Sequence, residues 1–223
     1  MERIDDLGTG GLKLIQNTDL FCFGTDSVLL SNFVRAKSGD TVVDFCTGNG
    51  IIPVLLSAKT NAKKIYGIEI QKPSYELAVR NLQLNSLGGR VEFICDDLKN
   101  WKNHFASGSA DVITCNPPYM KVGAGFKNPD DCKAAARHEL FVNFEEIAKN
   151  AAALLKFGGY FYTVHRADRL CDVLYYLRLN ALEPKRLCFV SPSPEHPANL
   201  ILVEAMRGAK PSLKIEKPIY ANI

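Results

Sequence analysis

At 223 residues the chain is long enough for one sizeable core and short for two domains. Hydrophobic content of 47% and charged content of 23% are ordinary for a globular protein, and no apolar run approaches a membrane span. A formal charge of +3 permits a nucleic-acid partner without demanding one.

Seven cysteines stand at Cys22, Cys46, Cys95, Cys115, Cys132, Cys171 and Cys188, an odd number with no C-x-x-C pair. Several lie inside strand-like runs, where cysteine acts as a small buried hydrophobe. Reduced thiols in a cytoplasmic chain are therefore expected, with neither a disulfide framework nor a metal site. Met1-Glu2-Arg3 opens no charged-then-apolar leader, and there is no internal repeat.

In chain order, residues 1–24 predict two short strands, Leu12 to Ile15 and Leu20 to Phe23, with a turn at Asn17-Thr18-Asp19. Thr25 or Asp26 then caps an apolar helix through Val34 that ends before Gly39. Capping and ligand contact are both open for Asp26. Next, the apolar strand from Thr41 ends in Asp44, a loop carries Gly48 and Gly50, and a helix follows from about Val54. Pro53 near the first turn removes only an N–H that has no helical partner. Gly48 and Gly50 let a ligand approach the backbone, and the helix N-terminus offers N–H donors to a carboxylate. Asp44 beside that loop suits a cationic amine, so a zwitterionic amino-acid end is matched at both charges.

A second strand, Lys64 to Ile70, carries Glu69 where an acid after a Gly-rich unit commonly accepts ribose hydroxyls. An amphipathic helix spans Tyr75 to Leu82, and a third strand, Val91 to Cys95, ends at Asp96-Asp97. A carboxylate there can accept from an adenine amino group, Asp97 being the better placed; a helix cap is the competing reading.

The strand Asp111 to Cys115 then runs into Asn116-Pro117-Pro118-Tyr119. Asn116 precedes proline and is held out of the α region, and two prolines stiffen the exit. The Asn116 side-chain oxygen and the Pro117 carbonyl can accept both hydrogens of a planar NH₂ group, and Tyr119 can stack on the ring that carries it. Such an amine is a poor nucleophile, and methylation leaves positive charge on its nitrogen. Two fixed oxygen acceptors stabilise that charge as it develops, and no strong base is needed. A plain Pro-rich loop is the alternative.

Lys121, Lys127, Lys133, Arg137 and His138 follow in an irregular stretch balanced by Asp130, Asp131 and Glu139, readable as a phosphate-facing or an ordinary solvated loop. A helix closed by Gly158 is expected from Phe144, then a strand at Tyr160 to Val164 and a helix at Leu170 to Leu179. Late strands are expected at Leu187 to Val190 and Leu200 to Ala205. The stretch from Arg207, with Lys210, Lys214 and Lys217, reads as a mobile basic extension.

Strand–helix alternation from Thr41 to Tyr176 argues an α/β, doubly wound parallel sheet, whose ligands sit at the carboxyl ends of the strands. Asp44 to Gly50, Glu69, Asp97 and Asn116 to Tyr119 all fall at successive strand ends. With these residues the chain resembles the class I S-adenosylmethionine-dependent methyltransferases. Asp44 to Gly50 looks like their nucleotide loop, with Cys46 where glycine is more usual. Glu69 matches the ribose acid, Asp97 the adenine-side acid, and Asn116-Pro117-Pro118-Tyr119 the signature of members that methylate amino groups. Phe23-Gly24-Thr25-Asp26, Ala136 to Glu139 and Pro197-Ala198-Asn199 are similar to the bacterial tRNA1(Val) adenine-37 N6-methyltransferase family, although His196 stands where lysine is frequent.

The resemblance implies a Rossmann-like, seven-stranded sheet with its last strand antiparallel, S-adenosyl-L-methionine as cofactor, and tRNA as partner. It implies one domain over residues 1–223: residues 1–40 covering the cofactor pocket, a catalytic core over 41–206 and a basic tail over 207–223. Asn116, Pro117 and Tyr119 take the catalytic positions; Asp26, Asp44, Thr47, Gly48, Gly50, Glu69 and Asp97 take the cofactor positions.

Four other readings use the same corner or loop. A protein-glutamine methyltransferase needs the same planar amide pocket, but such enzymes usually carry a helical domain ahead of the core, and about 40 residues precede Asp44. Methylation of a guanine amine in ribosomal RNA also remains open. An NAD-dependent oxidoreductase would want a third glycine where Pro53 stands. A non-catalytic S-adenosylmethionine-binding module has no reason to keep Asn116 and Tyr119 together.

Overall fold

Alternating side chains along the central strands set the architecture. Val42, Val112, Tyr162 and Leu202 enter one buried layer, while their chain neighbours Val43, Ile113, Phe161 and Val203 enter a second. That period of two makes the strands apolar on both faces, as a sheet covered on both sides requires. The computed structural model describes residues 1–18, 20, 23–118 and 143–221.

A hairpin of β1 (Glu2–Asp6) and β2 (Lys13–Asn17) precedes α1 (Thr25–Phe33). Strands and helices then alternate: β3 (Thr41–Phe45), α2 (Ile51–Lys59), β4 (Lys64–Glu69), α3 (Lys72–Leu84), β5 (Val91–Cys95) and β6 (Ala110–Cys115). After α4 (Phe144–Leu154) come β7 (Leu155–Arg166), α5 (Leu170–Leu179), β8 (Leu182–Ser191), β9 (Leu200–Arg207), β10 (Lys214–Ile215) and β11 (Ile219–Tyr220). The main sheet runs β10-β8-β9-β7-β6-β3-β4-β5, with β11 also pairing β8. From β3 to β7 all pairings are parallel, and β9 is antiparallel to both β7 and β8. The seven long strands are thus Rossmann-like, with the last one reversed. α1, α2 and α3 cover one face and α4 with α5 the other. Among the described residues no helix is long and apolar enough to cross a membrane.

The chain leaves β3 toward β4 and β5 on one side and lays β6 on the other. The strand order therefore reverses between β3 and β6, where the carboxyl ends open a crevice.

Three local expectations change. The partner of β2 is Glu2–Asp6, not a strand at Leu20 to Phe23; Phe21 and Cys22 lie outside the described residues, and Leu20 and Phe23 are not in strands. The first-turn cap of α4 is a capping box between Asn143 and Glu146, but the helix ends at Leu154 rather than Gly158. Leu155 already pairs with Ala110, and the register shifts before Val112 pairs with Tyr160. Gly158, at φ +81°, and Gly159, where a Cβ would lie 3.0 Å from the Asp111 carbonyl oxygen, let the strand enter the sheet across that irregularity. Finally, the tail is docked, not mobile. Lys214–Ile215 and Ile219–Tyr220 pair with Arg186–Leu187 and Val190–Ser191 along the edge of β8.

Candidate active site

The loop after β3 is tied down from below. Asp44 has no exposed surface, and its two carboxylate oxygens accept from Thr47 Oγ1 at 2.6 Å and Thr114 Oγ1 at 2.5 Å. Burial pushes the Asp44 carboxyl up to about 7; the two hydroxyl bonds oppose that rise and the nearby Glu69 charge adds to it. Thr114 lies two residues before Asn116, so one carboxylate joins the Gly-rich loop to the strand that carries the Asn-Pro-Pro corner. Cys46 bends the chain at φ +57°, a left-handed conformation that favours glycine, which explains why glycine is more usual there in the resembling family.

Glu69 closes the loop from the side. One oxygen accepts from Gly48 N–H at 2.8 Å and the other from Gln71 N–H at 2.8 Å. Gly50 caps α2 at φ +84°, and a Cβ there would fall 2.5 Å from the Phe93 ring, so only glycine fits. Gly48, at φ +58°, has open space where its Cβ would be. The backbone N–H groups of Ile51 and Ile52 open α2 and have no partner within the helix. Asn49 Nδ2 is buried with no hydrogen-bond partner among the described residues. Around an open glycine the loop thus gathers hydrogen-bond donors, with two carboxylates beneath and beside it.

At the end of β5 the two acids divide. Asp96 is consumed by Asn100, His104 and the Asp97 N–H, and these bonds, Asn100 first, hold its carboxyl below the usual range. Asp97 caps the 3-10 segment Leu98–Asn103 through Lys99 N–H at 2.9 Å, with Lys99 Nζ at 3.6 Å. Its contacts are local, and a backbone bond from Asp96 N–H to the Glu69 carbonyl at 3.1 Å joins this strand end to the next.

At the end of β6, Pro117 is buried and the Asn116 amide is pinned: Nδ2 donates to Ser27 Oγ at 2.9 Å. Asn116 Oδ1 is buried and has no hydrogen-bond partner among the described residues. Asp26 lies in the first turn of α1 and accepts from Ser27 N–H at 2.9 Å. Tyr119, Lys121, Lys127, Lys133, Arg137 and His138 lie outside the described residues.

Hydrogen bonds therefore join Asp44, Thr47, Gly48 and Glu69 into one unit, and Thr114 connects it to the strand of Asn116. Asp26 stands next to the serine that holds Asn116. Asp97 sits two strands away along the same rim. Three residues of the arrangement escaped the sequence reading: Thr114, Ser27 and Asn81, whose side chain reaches the Asn49 carbonyl at 2.9 Å. Thr114 is a single polar residue inside an otherwise apolar run, while Ser27 and Asn81 stand beside other polar residues and carry no distinguishing signal.

This fold, with a tethered Gly-rich loop at the switch point of the sheet, is that of the Rossmann-like methyltransferases. A predicted O-methyltransferase from Agrobacterium tumefaciens superposes with a TM-score of 0.71 at 19% identity, covering 87% of this chain and 86% of that one. P. horikoshii TYW2 in complex with MeSAdo superposes with a TM-score of 0.63 at 15% identity, covering 90% of this chain and 70% of that one. A Bacteroides fragilis protein named tRNA1(Val) (adenine(37)-N6)-methyltransferase is 29% identical over 180 residues, 81% of this chain and 75% of its own. Residues 31–155 match the TRM5/TYW2 methyltransferase domain, and the chain belongs to that family.

Proposed function

We propose that this protein transfers a methyl group from S-adenosyl-L-methionine to the exocyclic N6 amine of an adenine in tRNA. The observation that carries the reading is the unpartnered, buried Asn116 Oδ1 at the rim beside the Gly-rich loop. An acceptor left without a donor in the interior is costly, and an incoming NH₂ group supplies what it lacks. The name of the Bacteroides fragilis relative supports adenine and tRNA as the substrate.

The loop fits the proposed cofactor. Glu69 suits its ribose hydroxyls and Asp97 its adenine amine. The open side of Gly48, the N–H groups of Ile51 and Ile52, and the orphaned Asn49 Nδ2 suit its carboxylate. Asp44, with both oxygens held by threonines, acts from beneath the loop: it fixes Thr47 and, once ionised at pH values above about 7, places negative charge under the site of a cation. When bound, S-adenosyl-L-methionine supplies an electrophilic methyl on a sulfonium.

Asn116 Oδ1 and the Pro117 carbonyl accept the two amine hydrogens and stabilise the positive charge that grows on nitrogen, and one of those two protons then passes to water to leave the neutral methylated amine. Tyr119 is assigned the stacking role on the base. The adenine must leave its stack, which costs least in an unpaired loop of RNA in the cytoplasm.

The test is tritiated-methyl transfer to bulk tRNA, ribosomal RNA and protein fractions, followed by nucleoside mass spectrometry. N6-methyladenosine in tRNA is expected. Asn116→Ala should retain cofactor binding while kcat falls by about tenfold to a thousandfold, the range for losing a charge-stabilising group. Label in glutamine or in N2-methylguanosine, or unchanged turnover in the variant, overturns the reading.

A further inference from the structure

The contact that holds Asn116 comes from outside both motifs. Ser27, 89 residues away in sequence, sits in the first turn of α1 with 2% exposure, and its Oγ accepts from Asn116 Nδ2 at 2.9 Å. Pro117 and Pro118 stiffen the backbone beyond Asn116, yet leave the last side-chain torsion of the asparagine unconstrained. A primary amide is nearly symmetric in shape and opposite in chemistry at its two ends. Turned by half a revolution, it would present NH₂ to the incoming amine, placing donor against donor where positive charge develops.

We infer that Ser27 is the positioning residue that sets the Asn116 amide with Oδ1 toward the substrate amine. The inference rests on the amine-methylating reading above. Two further features support it. Oδ1, at the other end of the same amide, is the buried atom left without a partner, so the end that Ser27 does not hold is the one kept for a ligand. Asp26 accepts the Ser27 N–H at 2.9 Å and so fixes the backbone from which the Ser27 hydroxyl is presented. The helix α1 itself is firmly seated: Leu29, Leu30 and Phe33 lie in the core, so Ser27 is presented from a fixed element.

The experiment is a double-mutant cycle on the full chain with tRNA as substrate. Ser27→Ala should leave cofactor binding unchanged and lower kcat by roughly threefold to tenfold, the size of one lost neutral hydrogen bond. In an Asn116→Ala background the same change should have no further effect on kcat, because the group it orients is gone. Ser27→Cys, close in volume and weaker as an acceptor, should fall between wild type and Ser27→Ala. Full kcat in Ser27→Ala, or a loss that multiplies with that of Asn116→Ala, overturns the positioning role. Full turnover in Asn116→Ala alone would instead overturn the reading of the site, so the two failures are told apart.

Discussion

Asn81 on α3 donates to the carbonyl oxygen of Asn49 in the Gly-rich loop at 2.9 Å. The same amide serves the edge of the N-terminal hairpin, accepting from Ile15 N–H at 2.6 Å and donating to its carbonyl at 3.1 Å. One helical turn on, Asn85 treats Lys13 likewise, at 2.9 and 2.7 Å. Residues 81 and 85 share a helix face, and residues 13 and 15 point their backbone groups the same way from a strand. Two side-chain amides thus take the place of a neighbouring strand and couple the hairpin to the loop.

Asn81→Leu should therefore lower stability in urea unfolding by on the order of 2 kcal/mol, since it strands buried backbone groups with no water to replace the amide. Asn85→Ala, at a more open position, should cost less. The Asn81 variant should also raise the KM for the methyl donor. Equal unfolding midpoints for Asn81→Leu and wild type would show that the amide bridge contributes nothing.

The rim was legible in the sequence because its residues are punctuated: an acid, a Gly-rich turn or an Asn-Pro-Pro corner where an apolar run stops. The ties beneath the rim were not. Thr114 finds Asp44 across 70 residues and Ser27 finds Asn116 across 89, and a hydroxyl side chain carries no mark in the sequence of so distant a partner. β1 was hidden for a different reason. Four of its five residues are exposed, and it is held by the ladder to β2 and by the Arg80–Glu2 pair at 2.6 and 2.7 Å rather than by an apolar face. The end of α4 misled because Leu155 and Phe157 continue a helical pattern, and Gly158 looks like a terminator. The bulge opposite Ala110 decides the matter, and it exists only once the strands pair.

The buried Asp44 carboxyl gives a pH signature with a definite sign. Its value rises from an ordinary 3.8 to about 7 in the folded chain, with burial the main cause. Between those two values the folded state holds a proton that the unfolded state has released, so stability falls as pH rises from about 4 through 7. Asp44→Asn carries no such charge, and the Thr47 and Thr114 hydroxyls can each rotate to meet an amide oxygen or an amide NH₂. Urea midpoints of the wild type should decline across that window relative to those of Asp44→Asn, and the gap should level off above pH 8. A gap that is constant from pH 4 to 8 would mean that the carboxyl stays ionised throughout.

The docked tail yields two separable effects. Residues beyond Arg207 satisfy the outer edge of β8: Glu216 N–H bonds the Leu187 carbonyl at 2.8 Å, Ala221 N–H bonds that of Ser191 at 3.0 Å, and Cys188 Sγ meets the Lys217 carbonyl at 3.3 Å. Truncation after Arg207 should expose a bare edge strand, lower the melting temperature and promote self-association, seen by sedimentation velocity. The lysines are a different matter. Lys210, Lys214 and Lys217 are exposed, and Lys214 already has Glu216 at 3.2 Å. Replacing all three with glutamine should leave the melting temperature and the sedimentation coefficient unchanged. If they face tRNA phosphates, that triple variant binds tRNA more weakly, and the slope of log affinity against log salt falls by about one or more. An unchanged slope would make the tail an edge guard with no part in RNA binding.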